Sequence, residues 1–499
     1  MELLANLGFG FGVAATWDNI LYCFIGVVLG TLVGVLPGIG PATTIAILLP
    51  VTFDLSPVGS LIMLAGIYYG AQYGGSTTAI LVNMPGESSG VITALDGHQM
   101  ARQGRAGVAL AIAAIGSLFA GTVSTLFIAA SASSLTELGL MFGPVENVAL
   151  MVLAIVAVVV MGRGSVLNAL LMVLIGFALG MIGTDVNTGR ARFTFGIPEL
   201  RDGIDFIPLA MGLFGIAEIL RTLEAPMQRD VLMRKISGLW PKWEDLKASF
   251  MPIVRGTAVG TIIGILPGAG TLLASFSSYM LEKKISKTPE RFGKGAIEGV
   301  AAPESANNAA AQTSFIPMLT LGLPSGSVTA LMIGAMTIHG ISPGPMVMTQ
   351  RPELFWGLIA SMWIGNALLV LINLPLVGIW VAVLRIPYRH LVPAIILFCC
   401  IGAYAVNNSP VDVVILVAAG AFGYLLSRLD CDPTPLLLSF ILGPMLEENF
   451  RRSMIISHGD PSIFFGHPLS ASLLAVAVLI LIASALPAIR RKRDEVFVE

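Results

Sequence analysis

Six short stretches break apolar sequence with residues able to hold a charged solute: PGIGPATT (37–44), YYGAQYGGSTT (68–78), NMPGE (83–87), PGAGT (267–271), PESANNAA (303–310) and LPSGS (323–327). Glycine and proline interrupt regular helix. A helix that ends in mid-membrane presents unpaired N–H groups and a partial positive charge at its N-terminus. Such an end suits a carboxylate, and unwound carbonyls suit a cation. Gly38, Gly40, Gly74, Gly75, Gly268 and Gly270 permit the turns, while Thr43, Thr44, Ser76, Thr77, Asn83, Thr271, Ser305, Asn307, Asn308 and Ser325 supply neutral donors and acceptors. No Arg or Lys lies in a tip, so an anionic substrate would be held by dipoles and hydroxyls, with a cation travelling alongside. Glu304 is the candidate ligand for that cation, as a carboxylate embedded in the membrane. No resident metal or cofactor is expected beyond a transported Na⁺ or H⁺.

Each feature also has a plainer use. Glycine and proline kink helices, Ser and Thr bond back to their own helix carbonyls, and Glu304 could face water near a helix start. Asp96 and His98 are expected in a solvated loop. What favours binding is that the features recur at equivalent places in two halves.

The recurrence is direct. Gly30, Thr31, Gly34, Leu36, Pro37, Gly38 and Gly40 of GTLVGVLPGIG (30–40) return as Gly260, Thr261, Gly264, Leu266, Pro267, Gly268 and Gly270 of GTIIGILPGAG (260–270), 7 identities in 11. SGVITAL (89–95) returns as SGSVTAL (325–331), with five of seven identical. Composition says what the halves are. Hydrophobic residues make up 55% of 499, charged residues 12%, and the mean hydropathy is +0.85. A soluble domain carries about 25% charged residues. Apolar runs near the length of a membrane span occur throughout, as at 107–130, 145–161 and 469–487. The chain reads as an all-α polytopic membrane protein.

Loop charge gives the orientation. No basic residue lies between Met1 and Asp54, so both ends of the broken segment 17–53 read as external and the segment as a re-entrant hairpin. The matching segment 250–281 is followed by Lys283, Lys284, Lys287, Arg291 and Lys294, so its ends read as cytoplasmic. The two repeats are therefore expected to have inverted topology. The first, 1–222, holds the hairpin 17–53, a broken helix 57–84 interrupted at 68–78 and 83–87, and scaffold-like spans over 107–222. A cytoplasmic linker covers 223–249. The second, 250–499, holds the hairpin 250–281, a broken helix 297–323 interrupted at 303–310 and 323–327, a short apolar segment 327–338, scaffold-like spans over 354–487 and a cytoplasmic tail. The N-terminus is expected outside and the C-terminus inside. Arg190, Arg192, Arg201, Arg451 and Arg452 would face outside, where Asp185, Asp202, Glu447 and Glu448 could pair with them.

Other classes are disfavoured. GLPSG (322–326) does not match G-x-S-x-G, and His339 has no orienting partner in view, so an intramembrane hydrolase is not expected. No G-K-[ST] follows PGIG or PGAG, against ATP hydrolysis. No basic patch suggests nucleic acid. The four cysteines form no C-x-x-C pair, and residues 1–16 carry no Lys or Arg for a signal peptide. A stand-alone carboxylate carrier or a channel on the same inverted fold remains the alternative to a multi-subunit importer.

GTLVGVLPGIGPATTIAILLP, YYGAQYGGSTTAILVNMPGE, ALDGHQMARQG, EGVAAPESANNAAAQTSFIPMLTLGLPSG and LGPMLEENFRRS together resemble the TctA family, the large membrane subunit of bacterial tripartite tricarboxylate transporters. The resemblance runs over essentially the whole chain. It implies a small four-helix membrane partner (TctB-like), a periplasmic solute-binding protein (TctC-like), and uptake of citrate or another carboxylate across the cytoplasmic (inner) membrane by Na⁺ or H⁺ symport. The hairpin-plus-broken-helix layout also resembles elevator transporters. By that analogy 17–105 and 250–340 would move against a scaffold.

Overall fold

The structure is a computed structural model that describes residues 2–36, 40–139, 141–161, 165–185, 188–224, 238–266, 270–344, 346–383 and 388–485. The first helices are α1 (Glu2–Ala14), α2 (Trp17–Gly34), α3 (Pro41–Phe53), α4 (Pro57–Val82) and α5 (Gly90–Arg102). They are followed by α6 (Ala106–Gly139), α7 (Pro144–Met161), α8 (Val166–Gly180), α9 (Phe206–Ala210), a π-helical turn (Met211–Ile216) and α10 (Ala217–Glu224). Next come α11 (Trp243–Gly264), α12 (Gly270–Ile285), α13 (Glu298–Thr313), α14 (Phe315–Leu321) and α15 (Ser327–Ile338). The chain continues through α16 (Val347–Gln350), α17 (Pro352–Asn373), α18 (Val377–Val383), α19 (Tyr388–Asn407), α20 (Pro410–Arg428), α21 (Thr434–Ile456), α22 (Ile463–Gly466) and α23 (Pro468–Ala485). Among the described residues the one strand pairing is Gly183–Thr184 with Ala191–Arg192. Five helical stretches among them are long and apolar enough to cross a membrane: Trp17–Gly34, Ala106–Ala132, Phe206–Glu224, Pro352–Asn373 and Pro410–Arg428. The protein is an all-α membrane protein.

Two seams of glycine organise the interior. On α2, a Cβ added at Gly26, Gly30 or Gly34 would stand 2.2–2.3 Å from the carbonyl oxygen of Met63, Ile67 or Ala71 on α4. On α11, a Cβ at Gly256, Gly260 or Gly264 would stand 2.2–2.5 Å from the carbonyl oxygen of Ala302, Ala306 or Ala310 on α13. The three glycines of the second seam follow those of the first by 230 residues, the offset of the sequence match. Small residues four apart let two backbones touch, which is how membrane helices gain packing energy when lipid removes the hydrophobic driving force. Tyr69 and Phe315 then fill the space between α4 and α14, with ring centroids 6.0 Å apart and both side chains buried.

The glycine seam explains where the sequence reading of the broken helices fails. α4 runs unbroken through 68–78. Its Gly70 and Gly74 serve the α2 contact, a Cβ at either meeting the carbonyl oxygen of Val27 or Thr31 at 2.6 and 2.5 Å. α13 likewise runs unbroken through 303–310, carrying Pro303 inside it, and Ser275 of α12 donates to the Pro303 carbonyl at 3.2 Å. The real interruptions are the later ones. α4 ends at Asn83, in left-handed conformation at φ 56°, and NMPGE follows. α13 gives way at Ser314 to α14, which ends at left-handed Gly322 before LPSGS. Helix α1, outside the sequence expectations, runs along α17, its Gly10 against the Trp356 backbone.

Outside these seams, pairing absorbs most of the awkward arginines. Arg192 donates to Asp185 and, at 2.9 Å, to Glu447, while Arg451 reaches Glu447 at 2.5 Å and Asp185 at 3.2 Å. Arg452 pairs with Glu448 one turn back. Much of the linker (225–237), Arg163, and the basic tail at 490–493 lie outside the described residues.

Candidate functional site

The polar residues of α13 meet the first block at its break. Glu304 is 1% exposed, and its two carboxylate oxygens accept from Ser76 of α4 at 2.7 Å and from Thr93 of α5. Asn307, one turn further along α13, donates through Nδ2 to Glu87 Oε1 at 3.0 Å, and Ser89 donates to the same oxygen. Asn308 donates to Ser117 of α6 at 2.7 Å and to the Glu304 carbonyl at 3.1 Å. Tyr73 closes the α4–α6 side by donating to the Ala114 carbonyl at 2.9 Å. Residues more than two hundred apart in sequence thus form one buried seam of carboxylate, amide and hydroxyl. Neither carboxylate has a Lys, Arg or His partner among the described residues, an arrangement that leaves negative charge uncompensated by the protein.

Backbone approach fixes this seam against α2. A Cβ at Gly86 would stand 2.4 Å from the Gly34 carbonyl oxygen, so the break after α4 lies on the C-terminal end of α2. The same break rests on α4, since a Cβ at Gly86 would also stand 2.8 Å from the Gly75 Cα. A matching contact occurs at the end of α11. Ser325 donates to the Gly264 carbonyl, at the end of α11, at 3.3 Å. Its own N–H and that of Gly326 donate to Thr329 Oγ1 at 2.8 and 3.1 Å, which caps α15. Thr93 and Thr329 are the same position of the repeated seven-residue block.

The other candidates have mixed fates. Gly38 and Gly268 lie outside the described residues. Gly40 caps α3 in extended conformation, and Gly270 opens α12 with φ 63°, where a side chain would be strained. Thr43 is buried and donates to the Phe214 carbonyl of the π-helical turn at 2.9 Å. Such a turn leaves backbone carbonyls free to accept from outside their own helix. Thr271 is half-buried in the first turn of α12. Thr44, Thr77 and Ser305 bond back to the carbonyls of Gly40, Tyr73 and Ala301. Gly74 belongs to the helix seam, and Asn83 is an exposed helix end.

Sequence reasoning missed four participants: Glu87, Thr93, Asp96 and Tyr279. Thr93 carried a signal, the recurrence of its block. Asp96 is the clearest correction, since it sits in no solvated loop. It lies on α5, fully buried, and accepts from the Tyr279 hydroxyl at 2.9 Å and from the N–H groups of Gly295 and Ala296 at 2.8 Å. Its three donors come from α12 and the turn before α13, so it ties the two blocks together. His98 faces the Ile80 carbonyl at 3.2 Å. No group of three His, Cys, Asp or Glu able to hold a metal occurs among the described residues.

Comparison with known proteins gives the class of the chain. The Tripartite tricarboxylate transporter TctA family matches over residues 20–438. The chain belongs to that family. It is 58% identical over 499 residues to an uncharacterized 52.8 kDa protein in the TAR-I ttuC' 3'region of Agrobacterium vitis, covering 100% of this chain and 99% of that one. It is 60% identical over 240 residues to an uncharacterized protein in the TAR-II ttuC' 3'region of the same organism, covering 48% of this chain and 99% of that one. No solved structure matches. Membership of the TctA family places the chain among multi-pass membrane transporters.

Proposed function

We propose that the chain is the permease subunit of a binding-protein-dependent secondary transporter that imports tricarboxylates or related carboxylates, driven by a Na⁺ or H⁺ gradient. A small TctB-like membrane subunit and a periplasmic TctC-like binding protein complete the system, in the cytoplasmic membrane of a bacterium. The two blocks are inverted repeats whose tips and breaks enclose the substrate, and 17–105 with 250–340 move together past the remaining helices as an elevator. The observation that carries the reading is the buried seam in which Glu304 and Asn307 of the second block meet Ser76, Glu87 and Thr93 of the first. The N-terminus of α5, which begins at Gly90, favours an anion by its dipole and the C-terminus of α4, at Val82, favours a cation, and the absence of a Lys or Arg partner lets the anion leave again. Uptake of labelled carboxylates into vesicles holding this chain and its small subunit tests the proposal. Accumulation that needs both the binding protein and an imposed ion gradient is expected. Flux indifferent to both would mean a stand-alone carrier or channel.

A further inference from the structure

Among the described residues, two carboxylates in the polar seam lack any cationic partner, and one amide oxygen beside them lacks any partner at all. Glu304 is buried, Glu87 half-buried, and the two are close enough for their charges to repel. Asn307 is 1% exposed, and its Oδ1 has no hydrogen-bond donor. Its Nδ2 must face Glu87, because a carboxylate oxygen accepts and an amide oxygen turned to it would repel. The orphaned oxygen is therefore held next to the carboxylate by its own amide group. A buried acceptor without a donor is costly, and unpaired anions in the membrane interior are costlier still.

We propose that Glu87, Glu304 and Asn307 form a site for one monovalent cation, supplying the positive charge that the protein omits. The oxygens on offer are those of two carboxylates and an amide, with the Ser76, Ser89 and Thr93 hydroxyls around them, the donor set of a hard cation. The hydroxyls suit a proton equally, since each donates to an ionised carboxylate and can turn to accept from a protonated one. Both occupants bring the same single charge. Among the described residues, the charged or titratable groups facing the site from the packed helices are the two carboxylates themselves and Tyr68 and Tyr73 of α4. Half-buried Glu87 gives the cation its way in, and fully buried Glu304 its resting place. Because the carboxylates come from opposite blocks, occupancy ties the blocks together. The proposal rests on the transporter reading above and names its coupling site.

The test is thermal unfolding of the purified full-length chain in detergent, without substrate, in NaCl, KCl or choline chloride at matched ionic strength and at two pH values. Na⁺ as the occupant raises the unfolding temperature in NaCl alone, and Glu304→Gln, Glu87→Gln and Asn307→Ala each lose that rise. A proton as the occupant gives no salt preference but a pH dependence that both Gln variants lose. Ser76→Ala, which keeps both carboxylates, weakens the response and guards against misfolded Gln variants. Glu448→Gln, in an exposed ion pair, leaves it unchanged. Responses to salt and pH that are absent in the wild type, or unchanged in the site variants, overturn the proposal. Carboxylate uptake separates the two readings: a gradient-driven importer with no cation response sinks the site alone, and an intact response without uptake of any carboxylate sinks the transport reading alone.

Discussion

The Tyr279 hydroxyl, on α12, donates to the Asp96 carboxylate, on α5, at 2.9 Å, and joins two helices that lie 183 residues apart in the chain. With the N–H groups of Gly295 and Ala296 on its other oxygen, Asp96 is a buried carboxyl group whose three donors are all neutral. Tyr279→Phe is expected to cost about 1 kcal/mol, the usual net worth of one hydrogen bond. Asp96→Ala also strands two N–H groups, at about 1–3 kcal/mol for each unsatisfied donor, and should cost several times more. Rates of heat inactivation of the purified protein would rank the two, and equal rates would mean that the backbone donors find water instead.

Close backbone contact makes the glycine seams intolerant of added volume. Gly260→Val would drive a side chain into the Ala306 carbonyl, for which even small overpacking costs about 1–3 kcal/mol. Gly12, with nothing within 4 Å of where a Cβ would stand, should accept the same change. Size-exclusion profiles of the two variants in detergent provide the comparison. A monodisperse Gly260→Val protein at wild-type yield would show that the helices can separate.

Substitution inside the seam should remove function and spare the fold. Asn307→Leu, at a position touching Glu87, is expected to abolish uptake while leaving the amount of protein in the membrane unchanged. Thr43→Leu is expected to do the same by displacing α3 from the Phe214 carbonyl. Wild-type uptake rates in both variants would remove the site assignment.

The loop between α8 and α9 is pinned by ion pairs from α21. Arg192→Ala removes the contacts to Asp185 and Glu447, and Arg451 retains contact with both acids. The loop carries exposed Phe193 and Phe195, both with positive φ near 50°, which bulky residues seldom adopt. Faster chymotrypsin cleavage at these two residues is the expected outcome, read by mass spectrometry of the fragments. Unchanged cleavage would mean that Arg451 and the strand pairing suffice to hold the loop.

Much of this was legible in advance. The apolar runs 145–161, 327–338 and 469–487 fall on α7, α15 and α23, and the repeated GTLVGVLPGIG and GTIIGILPGAG blocks mark the two seams. What misled was the local meaning of glycine. Gly70, Gly74 and Gly75 read as a break because each costs a helix about 1 kcal/mol relative to alanine, yet here they are the surface on which α2 and the Glu87 turn rest. Glu87 and Asp96 escaped for a related reason. Their partners lie some two hundred residues away, and nothing in NMPGE or ALDGHQ distinguishes a buried carboxylate from one in water.

Helix α13 shows what the polar seam demands of assembly. Every residue from Gly299 to Thr313 is buried, Glu304, Asn307, Asn308 and Gln312 among them. No side of the helix is suited to lipid. It packs on α6, α11 and α12, all made before it leaves the ribosome. The nascent chain therefore cannot release α13 into the bilayer and wait for partners. Earlier helices must hold an open slot into which it passes directly, so the order of synthesis is also an order of docking.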